Sequence, residues 1–271
     1  MHIDAATKLY GIIGKPVGHS LSPAMHNAAF QHKGINAVYL AFETGSPEKA
    51  VEAVRTIGIK GLSVTVPHKE SIMPFLDEID KTAKRIGAVN TVRNSNGVLS
   101  GTNTDWIGAV KALKAVIDLE NTEVTVLGAG GSARAVIFGL LKEKAKVHIA
   151  NRTKEKAGRL AEEFGCSFSG LDDLSGINGA ILVNTTSVGM GELRGISPVP
   201  KQLLKQFSVV MDIVYGKEKT RLLQDAEEFG CIIVEGIEML LHQAAAQFEF
   251  WTGKKAPFDA MRKALIQAQV K

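Results

Sequence analysis

Lys69 follows Ser63-Val64-Thr65-Val66-Pro67-His68, an apolar run that ends in proline. A lysine set at the end of a buried strand is partly shielded from water, which eases proton loss from an ammonium and suits the residue to proton transfer. A solvated surface lysine fits the same pattern. Two further polar segments are Gly87-Ala88-Val89-Asn90-Thr91 and Gly101-Thr102-Asn103-Thr104-Asp105-Trp106. Asn90 and Asp105 flank a predicted hairpin and so can come near each other. A carboxylate beside a lysine would hold it in place and form a proton relay. Asp105 has a plainer reading as the N-cap of the helix that Trp106 opens. In Gly14-Lys15-Pro16-Val17-Gly18-His19-Ser20-Leu21-Ser22-Pro23, glycine and proline make a shaped loop, where Ser20 and Ser22 can turn both hydroxyls toward one ligand. For these two as well a plainer reading exists, with Ser22 capping a helix and Ser20 facing water.

A different chemistry is written in Gly128-Ala129-Gly130-Gly131-Ser132-Ala133, between a strand-like Val124–Leu127 and a helical run. Strand, glycine turn and helix N-terminus make a phosphate cradle, because glycines let the backbone approach a pyrophosphate that unpaired helix N–H groups then stabilise. About twenty residues further on, the second strand, Lys146-Val147-His148-Ile149-Ala150, ends where an adenine ribose would lie. A site for NAD puts an acid there. This chain has Asn151, Arg152 and Thr153, with Lys154 and Lys156 behind them and Glu155 opposing slightly. Donors and positive charge suit a phosphorylated ribose, hence NADP. A solvated helix start is the alternative for the same residues.

These segments need elements to hold them. Short apolar runs alternate with amphipathic helical patterns, as expected of an α/β protein with mostly parallel sheets. The first hundred residues hold strand candidates at 9–13, 37–41 and 61–66, and a hairpin over 90–100 turning at Asn94-Ser95-Asn96-Gly97. Ser22-Pro23 reads as N-cap and first helical residue, and Pro47 lies near the next helix start. A helix over 106–116 leads into the nucleotide unit, with strands at 124–127, 147–150, 180–184, 209–213 and 232–234. The remainder is helical, with Met239, Leu240, Ala244, Ala245 and Phe248 at helical spacing. The expected organisation is a substrate-binding and catalytic domain over residues 1–105, a Rossmann-type NADP-binding domain over 106–236, and C-terminal helices over 237–271 that return to the first domain.

The 271 residues are 45% hydrophobic and 22% charged, ordinary for a soluble globular protein. A formal charge of +4 comes from scattered Lys and Arg with few aromatics, which does not indicate nucleic-acid binding. Two cysteines, Cys166 and Cys231, make no disulfide framework and point to a reducing compartment. With no signal-peptide pattern and no apolar run of the ~20 residues a membrane span needs, the reading is a cytoplasmic protein that engages no membrane. No clustered His and Cys stand at metal-ligand spacing. The sequence does not set the oligomeric state, and a homodimer is compatible with it.

Nearly the whole chain resembles shikimate dehydrogenase, in order. The motifs are Gly14-x-Pro16-x-x-His19-Ser20-x-Ser22-Pro23-x-x-His26-Asn27, Val64-Thr65-Val66-Pro67-His68-Lys69, Gly87-Ala88-Val89-Asn90-Thr91 and Asn103-Thr104-Asp105-x-x-Gly108. They continue as Gly128-Ala129-Gly130-Gly131, Asn151-Arg152-Thr153, Asn184-Thr185-Thr186-Ser187-x-Gly189-Met190, Asp212-x-x-Tyr215, Met239-Leu240-x-x-Gln243-Ala244 and Trp251-Thr252-Gly253. The resemblance implies NADP-linked interconversion of 3-dehydroshikimate and shikimate, on the chorismate route to aromatic amino acids. It implies Lys69 and Asp105 as the catalytic pair, and Ser20, Ser22, Thr65, Asn90, Tyr215 and Gln243 on the substrate's hydroxyls and carboxylate. It places Gly128, Ala129, Gly130, Gly131, Ser132, Asn151, Arg152, Thr153, Lys154, Glu155, Lys156, Ile213 and Gly236 along the cofactor. His242 is read as structural, since a helix neighbour points about 100° away from Gln243. Three positions depart from the family pattern: Ser63 for the usual Asn, Glu235 for the usual Asp, and Gly216-Lys217 without a proline after Tyr215. None is in the implied catalytic pair. The rival readings are a quinate/shikimate dehydrogenase using NAD, against which Asn151-Arg152-Thr153-Lys154 argues, and a non-catalytic NADP-sensing protein, which would not need Lys69 and Asp105.

Overall fold

The computed structural model of the chain describes residues 3–173 and 176–270. They divide into two compact units. One comprises Met1–Thr104 and Gln243–Lys271, the other Asp105–His242.

The first unit is built on a six-stranded mixed sheet. Its strands are β1 (Lys8–Gly14), β2 (Ala37–Glu43), β3 (Gly61–Val64), β4 (Glu78–Ile79), β5 (Thr91–Ser95) and β6 (Val98–Thr102), in the order β2-β1-β3-β5-β6-β4. β1 runs parallel to β2 and β3, while β5 is antiparallel to β3 and to β6. Helix α1 (Ser22–His32) follows β1, α2 (Pro47–Ile57) follows β2, and α3 (Lys81–Ile86) leads into the segment before β5. α2 starts where the local chemistry favours it: the Ser46 side chain accepts from Lys49 N and Pro47 supplies a preset φ. The core under the sheet includes Ile13, Leu62, Val64, Ile72, Val89, Val92 and Leu99.

The hairpin β5–β6 turns at Asn96 and Gly97, both at positive φ. Two expectations are corrected by the structure. Ser22 is the first residue of α1 rather than its cap; Leu21 holds that place without a side-chain bond, and Ser22 is buried. The strand expected over 61–66 ends at Val64, since Pro67 has no N–H to offer a ladder and Val66 already faces solvent.

The second unit is a parallel sheet of β7 (Glu123–Leu127), β8 (Lys146–Asn151), β9 (Ser167–Gly170), β10 (Ile181–Asn184), β11 (Val209–Asp212) and β12 (Ile232–Glu235), in the order β12-β11-β10-β7-β8-β9. Strand order reverses between β7 and β10, the switch point at which open α/β sheets bind ligands. Val124, Val126 and Leu127 of β7 are fully or almost fully buried, as both-face coverage of a parallel sheet requires. Helices α4 (Asp105–Lys114), α5 (Gly131–Lys142), α6 (Lys154–Phe164) and α7 (Arg221–Glu228) complete the unit. α8 (Gly236–Thr252) begins in this unit and continues, from Gln243, in the first; there α9 (Phe258–Val270) packs on α1. Among the described residues no helix is long and apolar enough to cross a membrane.

Candidate active site

In the first unit, the polar segments converge because the C-terminal ends of β1 and β3 and the start of β5 share one edge of the sheet. Thr65 N donates to Ile13 O at 2.9 Å and Lys15 N to Val66 O at 3.0 Å, tying the loop that carries Ser20 to the segment that carries Thr65. Ser20 N closes on Val17 O at 3.0 Å, and Ser22 N donates to Ser20 Oγ at 3.3 Å, so the two serines share one turn. His68 is fixed by its Nε2, 2.7 Å from Thr44 O; a carbonyl only accepts, so that nitrogen carries the proton. Lys69, half-buried, accepts the Val89 N–H on its own carbonyl at 2.8 Å, and Val64 N donates to Asn90 O at 2.8 Å. The Lys69 and Asn90 segments are therefore neighbours.

Asn90 is the node of this cluster. It is 2% exposed. Its Oδ1 accepts from Thr104 N at 2.8 Å and from Thr91 Oγ1 at 2.6 Å. Its Nδ2 donates to Thr104 Oγ1 at 3.0 Å and to Gln243 Oε1 at 3.4 Å. Ser20, Ser22, Thr65, Lys69, Asn90 and Gln243 thus belong to one unit. Thr91, Thr104 and Gln247, which hold Asn90 and to which the sequence alone assigns no role, belong to it too. The available signal for Gln247 was its spacing, four residues after Gln243 and so on the same helix face.

A second arrangement lies in the second unit, at its switch point. Gly128, at φ +113°, turns the chain between β7 and α5, and Gly128 N donates to Ala150 O at 2.9 Å. A Cβ on Gly128 would lie 2.5 Å from Thr185 Oγ1, whereas one on Gly130 would meet nothing within 4 Å. α5 starts after Gly130, which as its cap makes no side-chain bond to the helix. Ala129, Gly131 and Ser132 complete this turn, each half-buried.

At the end of β8, Asn151 Nδ2 donates to Thr153 O at 2.9 Å and shapes the turn into α6, while Arg152, Thr153, Lys154, Glu155 and Lys156 are exposed. Gly236 starts α8 where only a glycine fits: a Cβ would lie 2.4 Å from Ile213 O. Asp105, 5% exposed, is the first residue of α4. Tyr215 is half-buried, and burial pushes its hydroxyl up to about 12, which keeps it a neutral donor.

Three residues before Tyr215 in sequence lies a buried carboxylate. Asp212 accepts from Asn184 Nδ2 at 2.9 Å, Val214 N at 3.0 Å and Thr220 Oγ1 at 2.7 Å. Burial nevertheless pushes it up to about 6, against the lowering effect of those three bonds. Asn184 also accepts from Thr186 N and Oγ1, at 3.0 and 2.7 Å. This knot ties the ends of β10 and β11 to the loop that carries Ile213 and Tyr215.

Comparison with known proteins gives one answer along the chain. Residues 12–92 match the family described as shikimate dehydrogenase substrate binding domain, residues 110–188 that described as shikimate / quinate 5-dehydrogenase, and residues 236–266 that described as shikimate 5'-dehydrogenase C-terminal domain. Shikimate dehydrogenase (NADP(+)) of Pyrococcus abyssi is 46% identical over 262 residues, covering 96% of this chain and 98% of the relative. That of Aquifex aeolicus is 45% identical over 266 residues, with 97% and 98% covered. A crystal structure of a shikimate dehydrogenase in complex with NADP+ superposes with a TM-score of 0.92 at 42% identity, covering 100% of this chain and 98% of the other. Thermus thermophilus shikimate 5-dehydrogenase, in complex with NADP(H) and shikimate, gives 0.89 at 38% identity, with 97% and 100% covered.

Proposed function

The chain belongs to the shikimate dehydrogenase family, and we propose a division of labour among its residues for that family's reaction. It is an NADP-dependent oxidoreductase that interconverts 3-dehydroshikimate and shikimate. The observation that most supports this division is the buried Asn90 node, where fixed donors and acceptors stand beside the strand exit that leads to Lys69.

Ser20, Ser22, Thr65, Asn90, Tyr215 and Gln243 hold the substrate, a ring that carries hydroxyls and a carboxylate. Ser20, Ser22, Thr65 and Tyr215 offer O–H donors and Gln243 N–H donors, while Asn90, whose Nδ2 spans Thr104 Oγ1 and Gln243 Oε1, sets the orientation of the Gln243 amide. Asn90 aims Nδ2 at Gln243 Oε1, which turns the Gln243 amide nitrogen away from Asn90 as a donor. Lys69 and Asp105 form the catalytic pair. As the substrate's ketone oxygen gains negative charge, Lys69 offers it a positive charge and a proton; in the reverse direction the base takes that proton back. Asp105, a buried carboxylate, serves as the accepting partner.

The second unit fits NADP. The N-terminus of α5, whose Gly130 cap makes no side-chain bond, and the open space over Gly130 suit a pyrophosphate, and exposed Arg152, Lys154 and Lys156 after a β8 that ends in Asn rather than an acid suit a 2′-phosphate. Bound there, the reduced cofactor supplies the hydride. Gly128 to Ser132 would hold the pyrophosphate and Asn151 to Lys156 the phosphorylated ribose, and Ile213 and Gly236 would also line the cofactor. A cytoplasmic setting fits the two free thiols, Cys166 and Cys231.

The test is spectrophotometric, with NADP or NAD and shikimate or quinate in the four combinations. Fast reduction of NADP with shikimate supports the reading, and preference for NAD or quinate would refute the argument from Arg152. No turnover in any combination would leave an NADP-binding protein without catalysis.

A further inference from the structure

Gln247 is 1% exposed, on α8, and uses both ends of its amide. Its Nε2 donates to Asn90 O at 3.2 Å and to Thr91 Oγ1 at 3.0 Å, and its Oε1 accepts from Ser63 Oγ at 2.9 Å. A backbone carbonyl only accepts, so the bond to Asn90 O settles which end of the amide is the nitrogen. The bonds beyond it then have a direction. Thr91 Oγ1 accepts the hydrogen bond from Gln247 and turns its own O–H toward Asn90 Oδ1, 2.6 Å away. That oxygen also takes the Thr104 N–H, which leaves Nδ2 facing Thr104 Oγ1 and Gln243 Oε1. On the other side, Tyr39 Oη donates to Ser63 Oγ at 2.6 Å, and Ser63 donates onward to Gln247.

One run of donors therefore passes from Tyr39 through Ser63, Gln247, Thr91 and Asn90 to Gln243. Tyr39 and Thr91 are 0% exposed and Ser63 4%, so no solvent competes for these bonds. Ser63, one of the chain's departures from the family pattern, is a link in that run.

We propose that Gln247 is a positioning residue that clamps Asn90 and Thr91, and thereby fixes the amide face that Asn90 and Gln243 turn toward substrate. The proposal rests on the reading that Asn90 and Gln243 hold shikimate. Removing Gln247 would leave the Asn90 carbonyl without a donor it now has and would free the Thr91 hydroxyl to turn away from Asn90 Oδ1. Gln247→Glu is the sharper change, since it keeps the shape but sets an acceptor where the two donors stand. Thr91 would then donate to the carboxylate, and two oxygens would face each other across the Asn90 carbonyl.

Calorimetric titration of the cofactor-free protein with shikimate gives Kd, and steady-state kinetics give KM for shikimate and for NADP. With one or two hydrogen bonds lost at the clamp, Gln247→Glu and Gln247→Leu raise Kd and KM for shikimate about ten- to thirtyfold. KM for NADP stays within about twofold, a split that general loosening of the fold would not produce. Thr91→Val repeats the loss, and Thr91→Ser, which keeps the hydroxyl, restores shikimate affinity to within about threefold. The Thr91 pair decides the matter if the Gln247 variants fail to fold. A folded Gln247→Glu or Thr91→Val protein with unchanged shikimate Kd overturns the proposal, as does an equal rise in KM for both ligands. If the unaltered protein binds no shikimate, the family reading of the site fails first, in the wild-type titration, and the proposal falls with it.

Discussion

His26 makes the first unit sensitive to acid in a way that can be measured. Its imidazole is 0% exposed, and neither ring nitrogen has a hydrogen-bond partner among the described residues. It stacks on Tyr39 at 4.5 Å between ring centroids and lies 5.1 Å from Trp251. Desolvation lowers its pKa from 6.5 to about 3, against the opposing effect of the Gln247 amide. A folded value below the unfolded one means that stability is present above 6.5 and is lost as pH falls toward 3, because only the unfolded chain takes up the proton. Each pH unit in that window costs about 1.4 kcal/mol. At pH 4.5 the loss is about 3 kcal/mol, a large share of the ~5–15 kcal/mol that holds a typical domain together. The assay is urea unfolding followed by Trp251 fluorescence in a Trp106→Phe background, comparing His26 with His26→Phe. Overpacking by the larger ring costs about 1–3 kcal/mol but does not change with pH, so it cancels when the difference is followed from pH 7.5 to 4.5. The His26 protein should lose about 3 kcal/mol relative to the Phe variant over that range. A flat difference, or a ring that titrates near 6.5 in the folded protein by NMR, would refute the reasoning.

Three other outcomes are expected. Lys69→Ala should lower kcat about 10²- to 10⁴-fold while NADPH binding, measured by fluorescence, stays within about twofold; equal loss of both would remove Lys69 from the chemistry. Asp212, pushed by burial from 3.8 to about 6, contributes stability present below 3.8 and lost as pH rises through about 6, an effect of about 3 kcal/mol. Between pH 3.5 and 7 the unfolding free energy of the wild type should therefore fall by about that amount relative to Asp212→Asn, and no pH dependence in the difference would count against it. Gly61→Ala puts a Cβ 2.7 Å from both Trp251 and Tyr10 side-chain atoms, and should lower the unfolding free energy of the first unit by about 1–3 kcal/mol, read from the denaturant midpoint; an unchanged midpoint would mean that the rings give way.

The second unit was the more legible in the sequence, for a physical reason. Parallel strands covered on both faces, such as β7 and β10, are continuous apolar runs, and the Gly128 turn marks where one of them hands over to a helix. β9 was missed because its Ser167-Phe168-Ser169-Gly170 carries two serines, which bracket the His148 ring at 2.9 Å each and look like loop residues in isolation. β4, two residues at a sheet edge, is too short to show any period.

Side-chain partners were legible only where they are local. Asp80 capping α3 is three residues from Ala83 and follows from type and spacing. Ser22 shows the limit of that reasoning: its type and the proline after it suit a cap, yet the helix begins one residue earlier and buries it. Gln247 lies beyond that limit, since its spacing from Gln243 gives a helix face but no partner. On an amphipathic helix a glutamine reads as solvated, and the groups that reverse this reading, Ser63 of β3, Thr91 of β5 and Asn90 just before it, are more than 150 residues away in sequence. A polar side chain is buried only where its partners are waiting, and partners that far apart in sequence become visible once the sheet has brought them to one edge. Motif residues that face a ligand can be read from their pattern, whereas the residues that hold them still have to be read from the fold.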